Sequence, residues 1–278
     1  MKVRILTAMG MAVVGIPLLI FSKYLIFAIA VGILSFVALY EMFRVIGIDK
    51  NLFLALPAYA IALALPISAF WLAAKYSYVF LLFGAAALFV YLIYAFFVAV
   101  FMRGALKFSS VSEAFSTSAY IIFSFTAISF LRYANLGVGL WNLVIMLVAA
   151  WGSDTFAYFT GRLFGRHKLI VEISPKKTVE GSIGGVVSAS ALMVLYGYIV
   201  SLTTSLTPNY IVLAVLGFVL SAVSQVGDLI ASLIKREHGV KDYGNIFPGH
   251  GGVMDRFDSV ISIAAILMAV SLVFPPFV

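Results

Sequence analysis

The order of apolar and polar residues along the chain resolves into nine long hydrophobic runs separated by short polar breaks. They fall at residues 3–21, 25–43, 52–73, 77–101, 111–131, 139–160, 181–202, 209–234 and 256–274. Each is close to the ~20 residues that a helix needs to cross a bilayer. The runs are continuous rather than alternating, which excludes a transmembrane β-barrel. The expected fold is therefore all-α, a polytopic membrane protein of nine helices. No internal repeat and no low-complexity linker divides it. We expect N-terminal helices over 1–110, middle helices over 111–160, and a C-terminal helical region over 161–278 that carries the site. The first run follows Met1-Lys2-Val3-Arg4 and superficially resembles a signal peptide. No small-residue cleavage site stands out after it, so it is read as a retained first span.

Composition agrees with this pattern and then narrows the chemistry. Hydrophobic residues make up 64% of the chain and charged residues 10%. A soluble domain carries roughly 25% charged residues, so this surface is not made for water. Cysteine is absent, which removes disulfides, thiolate metal sites and cysteine nucleophiles. The only histidines are His167, His238 and His250. A multi-histidine zinc site is disfavoured, and an oxygen-ligated magnesium ion is the better expectation.

The net charge of +7 could suggest nucleic acid in a soluble protein. Here its distribution points to membrane orientation. Of the 18 Lys and Arg residues, only Lys23, Lys75 and Arg132 fall on one side of a nine-span topology; the rest fall on the side of the N-terminus. The positive-inside bias then places the N-terminus in the cytoplasm and Val278 outside. The charge gathers in two loops, at about 161–180 and 235–255. No nucleic-acid partner is expected.

Acidic residues sharpen the picture. Glu41, Asp49 and Glu113 sit near span ends, where solvation or ion pairing accounts for them. Asp154 and Asp228 lie inside apolar runs, where a carboxylate costs roughly 2.5–3.5 kcal/mol on the insertion scale. Each needs a polar cavity, a metal or a cation, and the plain alternative is an ion pair pinning two helices. Lys235 lies two helical turns from Asp228 on the same face, about 10 Å away by helical rise, with Arg236 beside it. Asp255 and Asp258 share a face at the start of the last run. They could simply complement a helix dipole. Just before them stands Pro248-Gly249-His250-Gly251-Gly252, whose glycines could let backbone amides approach a phosphate. Lys176 and Lys177 precede the seventh run, where a helix N-terminus could grip an anion.

These residues together resemble the C-terminal motif of the CDP-diacylglycerol synthases, or phosphatidate cytidylyltransferases, of the bacterial type. The match runs from Ser232 through Lys235-Arg236, Lys241-Asp242 and Pro248-Gly249-His250-Gly251-Gly252 to Asp255-Arg256 and Asp258. A second stretch matches at Asp154, Tyr158, Gly161-Arg162, Gly165 and Ser174-Pro175-Lys176-Lys177-Thr178-Val179-Glu180-Gly181. The N-terminal half matches only as generic membrane helix. The resemblance implies an enzyme of phospholipid biosynthesis in the cytoplasmic membrane, with its site at the cytoplasmic face. In it, a phosphatidic acid oxygen attacks the α-phosphorus of CTP and pyrophosphate leaves. It implies Mg2+, with room for a second cation, held by Asp228, Asp255 and Asp258. It implies catalytic roles for these three with Lys235 and Arg236. Substrate would meet Asp154, Lys176, Lys177, Thr178, Ser182, Lys241, Asp242, His250, Gly251, Gly252 and Arg256. Homodimerisation is a further expectation from the family. A CTP-dependent polyprenol or phytol kinase is the nearest alternative reading, and a transporter a more remote one. The motif of a CDP-alcohol phosphotransferase is absent.

Overall fold

A computed structural model describes residues 2–102 and 106–278, with side chains from Leu6 onward. Arg103, one of the cations counted above, lies outside the described residues, as do the side chains of Lys2 and Arg4. Among the described residues there are nine α-helices: α1 Lys2–Ile20, α2 Leu25–Ile46, α3 Leu52–Leu72, α4 Ser77–Phe101, α5 Phe108–Tyr133, α6 Leu136–Phe164, α7 Val179–Thr203, α8 Tyr210–Glu237 and α9 Met254–Val273. Each coincides with one of the nine apolar runs. Helix is the form these runs must take in lipid, because it satisfies every backbone polar group within the segment. Eight of the nine, α2 to α9, are long and apolar enough to cross a membrane; in α1 the described apolar stretch is Leu6–Ile20.

The chain clusters into two units. The first comprises residues 1–136 and 238–256, the second residues 137–237 and 257–278. In the first, α2, α3 and α5 pack against one another and α4 lies along α3 and α5. Aromatic contacts fill the gaps: Phe80 stacks on Phe130 and Phe70 meets the edge of Tyr133. The Tyr91 hydroxyl donates to the Leu54 carbonyl at 3.1 Å, satisfying a buried polar group inside the bundle. On the outer face of α4, Leu82, Phe83, Phe89 and Val90 are exposed, as expected of a lipid-facing surface. Asn51 caps α3 by accepting from the Leu54 amide at 3.3 Å, and Gly47 ends α2 at φ 75°, a conformation that favours glycine.

In the second unit α7 and α8 form the main helix pair. Helices α8 and α9 also approach closely. A Cβ at Gly227 would strike the Ser262 side chain and stand 3.1 Å from the Asp258 carbonyl, so this contact needs glycine. The C-terminal tail is tied back by paired bonds between Thr207 and Val278, at 2.8 and 3.0 Å.

Two features depart from the sequence expectation. The stretch read as a loop at 161–180 contains an antiparallel hairpin, β1 Lys168–Ile170 and β2 Ser174–Thr178. Its strands are too short to register against the helical background. Helices α6 and α8 also run several residues past the apolar runs, to Phe164 and Glu237. A helix continues into water as long as its backbone bonds continue, whereas the hydrophobic signal stops at the first charges.

Candidate active site

In the second unit, the ends of α6 and α8, the hairpin before the start of α7, and α9 from Phe257 onward carry the charged residues. Lys177 is the last but one residue of β2, and its Nζ meets Asp228 Oδ2 at 2.5 Å. Both side chains are about a quarter exposed. Lysine has three donors, and among the described residues Asp228 is the ammonium's only ion-pair partner. The Nζ itself is buried, and its other donors have no hydrogen-bond partner among the described residues. Asp154, Asp258 and Lys235 complete the group. Asp154 lies in the field of Asp228 and Lys177, and Asp258 in the field of Asp228, Lys235 and Asp154. Three carboxylates against two lysines is an arrangement that favours an added cation, since like charges with reduced solvation repel. Asp258 is buried and its Oδ1 accepts from the Ser259 amide at 2.7 Å, while Asp154 is exposed on α6.

A buried polar network fixes the helices that present these charges. Ser221 donates to Ser153 Oγ at 2.7 Å, and Gln225 Nε2 donates to Ser153 Oγ and to the Ser182 carbonyl, both at 3.2 Å. Ser182 returns its hydroxyl to Gln225 Oε1 at 2.5 Å. One glutamine thus links α6, α7 and α8, one turn before Asp228 and beside Asp154. Ser182 is engaged here, in helix alignment. Gln225 was invisible to sequence reasoning because an amide in an apolar run carries no charge signal.

The start of α7 differs from the open anion site expected there. The Val179 amide donates to the His167 carbonyl at 3.0 Å, and the Gly181 amide to the Thr178 hydroxyl at 3.1 Å. Thr178 is therefore the helix cap. Glu180, also in the first turn, accepts from the amides of Arg166 and His167 and meets His167 Nδ1 at 2.6 Å. Protein groups occupy this helix terminus. Lys176 is exposed on the hairpin, as is Arg236 at the end of α8.

In the first unit, the segment between α8 and α9 forms a turn-rich loop around a cavity of about 780 Å³. It is lined by Lys241, Asp242, Phe247, His250, Gly251 and Arg256, among others. The volume is in the range of small-molecule sites. Two cationic side chains and one imidazole face a single carboxylate, which suits a polyphosphate. His250 Nδ1 is buried without a hydrogen-bond partner. Gly249 and Gly251 adopt φ of 75° and 84°, which the tight turn closed by Phe247 N to Gly251 O at 2.9 Å requires.

Four of the loop amides, however, are bound by carboxylates of the protein rather than offered to a ligand. Asp255 Oδ2 accepts from Tyr243 N at 2.7 Å and Gly252 N at 3.0 Å. Glu41, near the C-terminal end of α2, accepts from Val253 N at 3.1 Å and Met254 N at 2.9 Å. Gly252 is buried beneath the Glu41 carboxylate, where a Cβ would collide with it. Glu41 is 3% exposed, so hydrogen bonds to backbone amides, rather than solvation or an ion pair, account for this span-end acid. Helix α2 continues five residues beyond it, to Ile46.

The carboxylates fit a hard divalent cation by donor type. Asp228 and Asp258 share one electrostatic neighbourhood, whereas Asp255 is engaged with loop amides. Among the described residues no three Asp, Glu or His side chains stand ready to hold a metal. This arrangement suits an ion bound by one or two carboxylates and completed by substrate phosphates.

Comparison with known proteins bears on this geometry. A sequence model described as the cytidylyltransferase family matches residues 2–274. A protein of Bacillus subtilis named phosphatidate cytidylyltransferase is 37% identical over 277 residues, covering 96% of each chain. One of the same name from Staphylococcus epidermidis is 34% identical over 269 residues, covering 96% of this chain and 97% of its own. A third, from Brucella abortus, is 39% identical over 155 residues, covering 56% of this chain and 55% of its own.

Proposed function

The chain belongs to the cytidylyltransferase family, and from that premise we propose that it joins CTP to phosphatidic acid, forming CDP-diacylglycerol and pyrophosphate. The observation that carries this reading is the near full-length likeness to proteins named phosphatidate cytidylyltransferase, which spans both groups of charged residues. The geometry supplies matching chemistry. The cavity walled by Lys241, His250 and Arg256 suits a triphosphate. Asp228, Asp258, Asp154 and Lys235 sit on helices long enough to span a bilayer, with Lys177 beside them on β2, where a lipid phosphate can arrive laterally.

The reaction is an exchange at phosphorus. An oxygen of the phosphatidic acid phosphate forms a bond to the α-phosphorus, and the bond to the pyrophosphate oxygen breaks. No protein nucleophile is needed, so the chain's work is positioning and charge neutralisation. Lys177, held by Asp228, would steady the lipid phosphate. Lys241 and Arg256, at the cavity of the first unit, would hold phosphates of CTP. Asp228 and Asp258 would hold Mg2+, which when bound offsets charge developing on the phosphoryl oxygens.

The protein is a multi-pass membrane protein. We place it in the cytoplasmic membrane, with the N-terminus and the reactive groups at the cytoplasmic face. The support is the concentration of Lys and Arg on that side of the topology. The test of function is direct. Purified protein with CTP, phosphatidic acid and Mg2+ should yield a CDP-lipid, and the yield should vanish when Mg2+ is chelated. Absence of a CDP-lipid under saturating substrates would overturn the assignment.

A further inference from the structure

Glu41 lies far in sequence from every motif residue, yet its carboxylate sits under the loop that walls the cavity. Both oxygens are engaged, Oε1 by the Val253 amide and Oε2 by the Met254 amide. These are the donors at the start of α9 that would otherwise face an anion. Gly244 and Gly252 both border the carboxylate, and a side chain at either would overlap it. The pocket for Glu41 is thus built from two separate glycines as well as two amides. The residue is 3% exposed, and Asp255 lies in its field while taking the neighbouring Tyr243 and Gly252 amides.

From this we infer that Glu41 is a positioning residue for nucleotide binding, the resident anion that fixes the Gly251–Met254 backbone and so sets His250, Gly251 and Arg256 around the cavity. Two consequences follow from the geometry. The amides of Tyr243, Gly252, Val253 and Met254 are taken by carboxylates, which leaves the side-chain cations of the cavity to meet the phosphates of a nucleotide. The loop is also ordered before the nucleotide arrives, so binding does not bear the cost of ordering it. Removing Glu41 leaves two buried amides unsatisfied and opens a void beneath Gly252.

The inference rests on the proposed use of CTP, so the experiment separates the two. CTP affinity and steady-state rates are measured for the parent protein, Glu41→Gln and Glu41→Ala, alongside thermal stability in detergent. Gln keeps the volume but turns one NH2 group toward an amide donor. KM for CTP should rise at least about tenfold in Glu41→Ala, given charge-assisted bonds to both amides. Glu41→Gln should fall between Ala and the parent. KM for phosphatidic acid should change much less. Folded variants with lowered stability but parental KM for CTP would overturn the inference, as would equal losses for both substrates. If the parent itself neither binds nor uses CTP, the functional reading fails instead. Should neither variant fold, hydrogen exchange in the parent decides. Protection of the Gly252, Val253 and Met254 amides without nucleotide supports pre-ordering, and protection that appears only with CTP overturns it.

Discussion

Replacing Asp228 by Asn separates a reactive role from a structural one, because the two predict losses of different size. Asp228 pairs with Lys177 at 2.5 Å, and both side chains are about a quarter exposed. Breaking a fully buried pair costs about 3–5 kcal/mol, and an exposed pair about 0–1. A pair screened to this extent falls between, at about 1–2 kcal/mol. For a chain of this size that lowers Tm by only about 2–8 °C. Asn preserves the shape while removing the charge that steadies Lys177 and would hold a divalent cation. Loss of one preorganised electrostatic contact to a transferring group typically costs about 10²–10³ in kcat, or roughly 3–4 kcal/mol. The reactive reading therefore predicts a catalytic loss larger than the stability loss. The assay is turnover per folded molecule in detergent micelles, beside a thermal melt of the same sample. Normal turnover per folded molecule with a lowered Tm would refute the reasoning and leave Asp228 as a strut between β2 and α8.

Gln225→Ala removes the amide that bridges Ser153 and Ser182; we expect about 1–3 kcal/mol of lost stability, read as a melt, whereas an unchanged Tm would show that the network does not hold the helices. Arg256→Ala and Lys241→Ala, each at the cavity wall, should raise KM for CTP roughly tenfold or more while KM for phosphatidic acid holds; equal effects on both substrates would remove the triphosphate from this cavity. Because the chain has no cysteine, a single Cys at position 241 or 278 reports topology without background; an impermeant thiol reagent on intact cells should label 278 and spare 241, and the opposite pattern would reverse the orientation.

The helices were legible because lipid imposes one periodic solution, and a run of twenty apolar residues states it without reference to partners. Asp154 and Asp228 were legible as anomalies, since a carboxylate in an apolar run has few explanations. The same reasoning errs at Glu41. Its place near the end of an apolar run suggests solvation or an ion pair, whereas contact with the distant loop before α9 buries it. The glycine loop was legible as a tight turn, but not the recipients of its amides. A donor satisfied by Glu41, more than 200 residues earlier in the chain, leaves no trace in local sequence. Asp255 illustrates the same limit. Its spacing from Asp258 places both on one helical face, yet its oxygen is drawn to Tyr243 and Gly252. Gln225 and its serines were missed for want of charge.

The proposed reaction differs from a kinase's in that the nucleotidyl group, and no other part of CTP, is transferred to the lipid. It is tested by following label from CTP carrying 32P at the α- or the γ-position, with phosphatidic acid and the purified protein. Nucleotidyl transfer puts α-label in the lipid fraction and γ-label wholly in pyrophosphate. Label from the γ-position appearing in lipid would contradict it and identify a kinase.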